Sequence, residues 1–166
     1  MADALAALGD TTTLSALADS VRVLGQASGF ARDGRLHYHI RGLLLVSRGY
    51  SYEAAQAFER ALASPSDRFS RTNYEMAGAW LRLKRPKAAI PLLQVSIRGG
   101  FEGGNLYLTR PELHERLAQA WEAAGGRDSA VAHYRTVVRA WANADSLLGA
   151  RRDAAAQALT RLGAPR

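Results

Sequence analysis

An all-α fold of antiparallel helix pairs is predicted by three features of the sequence. Leu, Ala, Arg and Glu dominate and β-branched runs are short, so local propensity favours helix almost throughout. Breaker residues cluster at Gly9-Asp10, Ser28–Gly34, Gly49, Ser64–Asp67, Lys84–Pro86, Gly99–Gly104, Gly125–Asp128 and Ala142–Asp145. They cut the chain into segments of roughly 12 to 17 residues, the length of paired helices joined by short turns. The segments also resemble one another at a period of 35 to 41 residues, as the positions below show.

The first element is incomplete. Gly9 is followed by Thr12-Thr13-Leu14-Ser15-Ala16-Leu17-Ala18, which reads as the second helix of a pair. Only Ala2 to Leu8 stand for the first helix, so residues 1–27 are expected to be a partial N-terminal repeat and the chain to be the last part of a longer protein.

Three full pairs are expected at 35–65, 68–98 and 109–142. Ala54 lies five residues after Gly49 and Ala130 five after Gly125; Phe58 and Tyr134 follow four residues on. A copy between them has Ala89 and Leu93. Twelve residues before each alanine stands a small residue, Gly42, Ala77 or Ala118. Four before that come Tyr38, Asn73 and His114; three after it come Leu45, Trp80 and Trp121. Helices that cross closely need small residues where the backbones approach, here Gly42 and Ala54, with Phe58 and Leu45 filling the space around them. Pro65 is expected to end the second helix of the first full pair. Thr109-Arg110-Pro111-Glu112 carries a capping-box pattern with proline near the first helical position. Before it, a glycine-rich insert at 98–108 lengthens the third period, and its end, Leu106 to Leu108, is expected to pack on the domain. Asp145 is expected to cap a last amphipathic helix, 145–162, with Leu147, Leu148, Ala155, Leu159 and Leu162 turned inward. Such a helix covers the apolar face that an end repeat otherwise leaves in water.

Composition narrows the function classes. At 166 residues and 48% apolar, the chain can bury a real core. It has no cysteine, which excludes disulfides, thiol catalysis and thiolate metal sites. No run approaches the roughly 18 apolar residues of a membrane span. The N-terminal MADALAALGD has neither a basic nor a long apolar region, so no secretory signal is read and a cytoplasmic location is expected. The formal charge of +7 comes almost wholly from arginine, twenty against two lysines, scattered rather than gathered on one stripe. That argues against nucleic acid, whose phosphates call for cations on one face.

Motifs of chemistry are missing from the sequence. It has no phosphate-binding loop, nucleophile elbow or dinucleotide fingerprint. His37 and His39 are two apart and point away from each other on a helix; His114 and His133 belong to repeat positions. The expectation is therefore no enzyme, no catalytic residues, no metal and no cofactor.

The spacing W-x2-L-G-x2-Y…A-x3-F…P is that of the tetratricopeptide repeat (TPR), and residues 35 to 140 resemble it in three copies in phase. The resemblance implies a right-handed superhelix of helix pairs, closed by the C-terminal capping helix, with a concave groove lined by first helices. In that register the groove presents Leu36, His39, Leu43 and Val46; then Arg71, Tyr74, Gly78 and Leu81; then Glu112, Glu115, Gln119 and Glu122. His39, Leu43, Arg71, Tyr74, Gly78, Glu115 and Gln119 are the candidate partner-binding residues, for an extended peptide or a helix of another protein. Family members that grip a C-terminal carboxylate use Lys and Asn where His39 and Leu43 stand, which argues against that mode. The stretches FSRTNYEMAGAWLRL and NLYLTRPELHERLAQAWEAAGGRDSAVAHYRTVVRAW are similar to C-terminal repeat regions of bacterial multidomain signalling proteins, implying a docking or scaffold role. The alternatives are self-association through an uncapped N-terminal face exposing Leu5, Leu8, Leu14 and Leu17, and weak nucleic-acid binding through the scattered arginines.

Overall fold

The structure, a computed structural model, describes residues 1–30, 33–62, 70–98 and 108–164. Among them run nine helices: α1 (Ala2–Leu8), α2 (Thr11–Ala27), α3 (Asp33–Ser47), α4 (Ser51–Ala61), α5 (Ser70–Arg82), α6 (Pro86–Arg98), α7 (Arg110–Ala123), α8 (Arg127–Ala140) and α9 (Ser146–Arg161). Pro65 and most of the insert, residues 99–107, lie outside the described residues; Leu108, at its end, is buried against α5, α6 and α7.

One turn recurs between the two helices of every pair. Gly9, Gly49, Lys84 and Gly125 each adopt a left-handed backbone, with φ of 71°, 84°, 57° and 79°. In each turn the residue after it sends its N–H back to a carbonyl five residues earlier: Asp10 to Leu5 at 3.0 Å, Tyr50 to Leu45 at 2.9 Å, Arg85 to Trp80 at 2.9 Å and Gly126 to Trp121 at 2.8 Å. These bonds satisfy carbonyls that the ending helix leaves open. Glycine takes this conformation at no steric cost, whereas a side chain at Lys84 strains it. Other helix ends are held by side chains. Asp10 Oδ1 accepts the Thr13 N–H at 3.0 Å, Asp145 Oδ1 accepts the Leu148 N–H at 3.2 Å, and Glu112 Oε2 accepts the Thr109 N–H at 2.8 Å.

The turn puts each second helix in register against its first. Five residues after each left-handed position a side chain is fully buried: Leu14, Ala54, Ala89 and Ala130. Four residues later Ala18, Phe58, Leu93 and Tyr134 are buried too. At the first full pair the approach is so close that a Cβ on Gly42 would stand 2.4 Å from the Phe58 ring. Burying Phe58 completely contributes about 1.5–3 kcal/mol, and only a residue without a side chain leaves room for it.

Three apolar clusters follow one another along the chain. The first holds Leu14, Ile40, Leu43, Leu44, Phe58 and Met76; the second Ala77, Ile90, Leu93, Leu113 and Leu117; the third Val131, Tyr134, Val137, Trp141, Ala155 and Leu159. Trp80 packs against the first two and Trp121 against the last two, so the same repeat position joins neighbouring clusters. Each helix packs on the next in sequence, and the first helices also touch in a row, α1 with α3, α3 with α5, α5 with α7. A stack whose first helices approach each other in this way curves with that row inside, the arrangement of a helical-repeat solenoid.

Two expectations about exposed and buried leucines are corrected. Leu14 is fully buried rather than open at the N-terminal face, because α1 and α3 close over it. Leu5 and Leu17 are half-buried in the same cluster; of that leucine set Leu8 alone is exposed, at 81%. At the other end Leu147 is 76% exposed. The inward stripe of α9 runs through Leu148, Ala155, Leu159 and Leu162, and Leu147 stands about 100° around the helix from it.

Two substitutions test this construction by urea denaturation. Lys84→Gly removes the strained side chain and is expected to stabilise the protein by about 1 kcal/mol. Gly42→Ala is expected to cost about 1–3 kcal/mol by overpacking against Phe58, and Phe58→Leu in the same chain to recover part of that loss. An unaltered midpoint for Gly42→Ala would mean that the pair is not packed this closely.

Candidate interaction surface

The inner row of first helices carries a chain of charged groups rather than a bare apolar stripe. Arg71 on α5 reaches Asp3 on α1, with Nη2 to Oδ1 at 2.9 Å, and pairs with Glu75 one turn along its own helix at 3.3 Å. Arg116 on α7 reaches back to α5. Its guanidinium lies 3.4 Å from the Tyr74 ring centroid, Nη1 donates to the Tyr74 carbonyl at 2.8 Å, and Glu75 stands 3.8 Å away. Arg151 on α9 in turn reaches α7. It donates to Glu115 at 3.0 Å and Glu112 at 3.4 Å, with its guanidinium 4.7 Å from the Trp141 ring centroid. Each arginine thus spans from one first helix, or from α9, to an acidic or aromatic group nearer the N-terminus. A planar guanidinium can stack on a ring and donate at its edge together, which an ammonium cannot do.

This arrangement places the sequence-predicted residues as follows. Arg71, Tyr74 and Gly78 come together around Arg116. Tyr74 is buried beneath it, and a Cβ on Gly78 would stand 2.9 Å from its Nη1. His39 joins the same group from α3, its Nδ1 3.1 Å from the Thr72 hydroxyl and its ring 5.6 Å from that of Phe58. Leu43 is buried in the first apolar cluster. Glu115 is bound to Arg151, and Gln119 is open to solvent. Beside these lies Arg82, whose guanidinium also approaches Gly78; Leu36, 41% exposed, stands instead against α2, beside Val21, Leu24 and Gly25. Sequence reasoning missed Asp3, Thr72, Glu75, Arg116 and Arg151. The Arg71–Glu75 spacing of one helical turn was a readable signal. Arg116 and Arg151 lie one repeat length apart, 35 residues, as Ala54 and Ala89 do.

Burial governs the titration of this surface. His39 is brought down to about 4 by burial; Asp3 opposes the shift and Arg71 adds to it. Burial raises Glu75 against the pull of Arg116 and Arg71, and it raises the Tyr74 phenol.

The structure also joins two histidines that the sequence separates by 19 positions. His114 on α7 and His133 on α8 face each other with Nδ1 to Nδ1 at 2.9 Å and ring centroids 5.0 Å apart. Both are half-buried. Burial lowers the pKa of each, with Arg110 adding to the effect on His114 and His114 adding to that on His133. Among the described residues no group of three or more metal-ligating side chains gathers, and no helix is long and apolar enough to cross a membrane. A cavity of about 350 Å³ opens between α4, α5 and α6, lined mainly by Leu62, Met76, Pro91, Leu92 and Val95.

No protein-family model matches the chain, and no curated protein is significantly similar to it. What stands is an all-helical chain of stacked helix pairs.

The lowered His39 sets a sign for pH dependence. Above pH about 6.5 the ring is neutral folded or unfolded and contributes no dependence. Between 6.5 and about 4 the unfolded ring takes a proton that the folded one refuses, so stability falls as pH falls. His37, also lowered chiefly by burial, acts in the same direction. Urea midpoints are expected to drop from pH 7.5 to pH 5, and His39→Gln to flatten that slope; equal slopes would remove His39 as the cause.

Proposed function

We propose that this chain is a non-catalytic protein-interaction module of tetratricopeptide type, a right-handed superhelix that holds a peptide or a helix of another protein against its inner row of helices. The observation that carries the reading is the row itself. Arg71, Tyr74, Arg116 and Glu115 are ordered by bonds within the chain, while Arg82 and Gln119 stand open on the same helices. A surface already ordered loses little side-chain freedom when a partner lands on it. An extended or helical segment suits such a groove, because it can meet successive first helices in turn.

The resemblance of the middle and C-terminal stretches to bacterial signalling proteins supports a docking or scaffold role in the cytoplasm. The dispersed arginines favour protein over nucleic acid. Arg41, Arg71, Arg127, Arg151, Arg152 and Arg161 all pair with carboxylates of the chain itself.

The test uses a photo-crosslinking residue at Gln119 or Arg82, set against the same residue at the exposed Gln56 of α4 and Gln94 of α6, in cells that make the protein. Discrete adducts of one partner are expected from the inner positions only. Adducts from Gln56 and Gln94 alone would move the binding surface to the second helices. Adducts between two copies of the chain would make it a self-association module instead, a reading that the exposed Met1 and Leu8 favour. Sedimentation at two concentrations then separates the two.

A further inference from the structure

We infer that His114 and His133 form a binding site for a divalent transition-metal ion of tetragonal preference, Cu²⁺ or Ni²⁺, which clips the two helices of one repeat together. The geometry leads there. The two Nδ1 atoms are 2.9 Å apart. With metal–nitrogen bonds of about 2.0–2.1 Å, two neighbouring ligands of a square site stand about 2.9 Å apart, and two of a tetrahedral site about 3.3 Å apart. The spacing matches the tetragonal edge; to use it each ring turns its lone pair by about 45° from the hydrogen-bonding direction toward an ion beside the pair, whereas a tetrahedral ion would also have to spread the nitrogens.

The chemistry balances without an outside reagent. A hydrogen bond between two ring nitrogens needs a lone pair on one and a proton on the other. For both Nδ1 lone pairs to turn to the ion, the donating ring moves its proton to Nε2, so no proton leaves a neutral pair. Both rings are half-buried, so solvent reaches the pair, and water is expected to complete the coordination sphere. The rings come from α7 and α8, helices held in register by the Gly125 turn and by the Ala118–Ala130 packing, so the fold keeps the two rings side by side before any ion binds. Arg110, one turn before His114, bears on the same ring and works against a cation there. With two protein ligands the site is expected to be of modest strength, and copper, highest in the divalent series, to bind best.

The untagged full chain, stripped with a chelator, is titrated with NiCl₂ and with CuCl₂ by calorimetry and followed by thermal melting. One ion per chain is expected, with Cu²⁺ tighter than Ni²⁺ and Ni²⁺ tighter than Zn²⁺, and a melting temperature that rises with metal. His114→Gln and His133→Gln are each expected to weaken binding at least about tenfold and to abolish the rise, while His37→Gln keeps both. Nitrogen-15 spectra of the wild-type imidazoles give a reading that does not depend on any variant folding. Sub-stoichiometric Ni²⁺ should broaden the His114 and His133 signals first. Broadening at His37 or His39 instead, unaltered affinity in His133→Gln, or no binding at about 1 mM Ni²⁺ would each overturn the assignment, leaving the pair a hydrogen-bonded couple only.

Discussion

The close approach of the two helices within each pair is the constraint on which the rest of the molecule depends. At Gly42 the backbone comes within reach of the Phe58 ring, and at the equivalent positions Ala77 and Ala118 are fully buried. Interiors are packed at crystal-like density, so this approach dictates what can stand nearby. Phe58, Leu93 and Tyr134 then fill the gap that the small residue opens. The left-handed turn sets up this contact. It stops the first helix, satisfies its carbonyls and delivers the key residue five positions later to the contact.

Between pairs the organising interactions are of another kind. Arg71, Arg116 and Arg151 each cross from one helix of the inner row to a preceding one, onto a carboxylate and, for the last two, over an aromatic face. Ion pairs of this type contribute less to stability than their geometry suggests, since removing charge from water opposes the attraction. Their worth lies in register, because a planar guanidinium accepts few orientations. Arg71, Arg116 and Arg151, which look scattered along the chain, are struts once it is stacked.

A solenoid of this kind transmits little along its length, since each unit touches mainly its neighbours. A partner lying across α3, α5 and α7 would add a connection that the chain by itself lacks. The ordering of Tyr74, Arg116 and Glu115 beforehand keeps the entropic cost of that contact low. An ion held between His114 and His133 would act on one unit only, stiffening α7 against α8. The two sites would therefore meet in the third pair, where Glu115 neighbours His114.

What the sequence by itself determined is local and periodic. The helices, the turn positions and the buried set Ala54, Phe58, Ala89, Leu93, Ala130 and Tyr134 could be read directly, because helix capping and close packing demand certain residue types at set spacings. The Thr109 and Asp145 caps were legible for the same reason. Lys84 is the exception that shows the rule: it holds a conformation suited to glycine because the packing on either side of the turn requires it. Only the tertiary structure decided which side chains meet across the stack. It closed Leu14, opened Leu147, laid Arg116 over Tyr74 and set His114 against His133. These outcomes depend on rotations between helices and on the reach of long side chains. Such quantities are only faintly marked in a single sequence, as by the one-turn Arg71–Glu75 spacing and the 35 residues from Arg116 to Arg151, which is why the shape of each pair could be foreseen and the polar groups joining them could not.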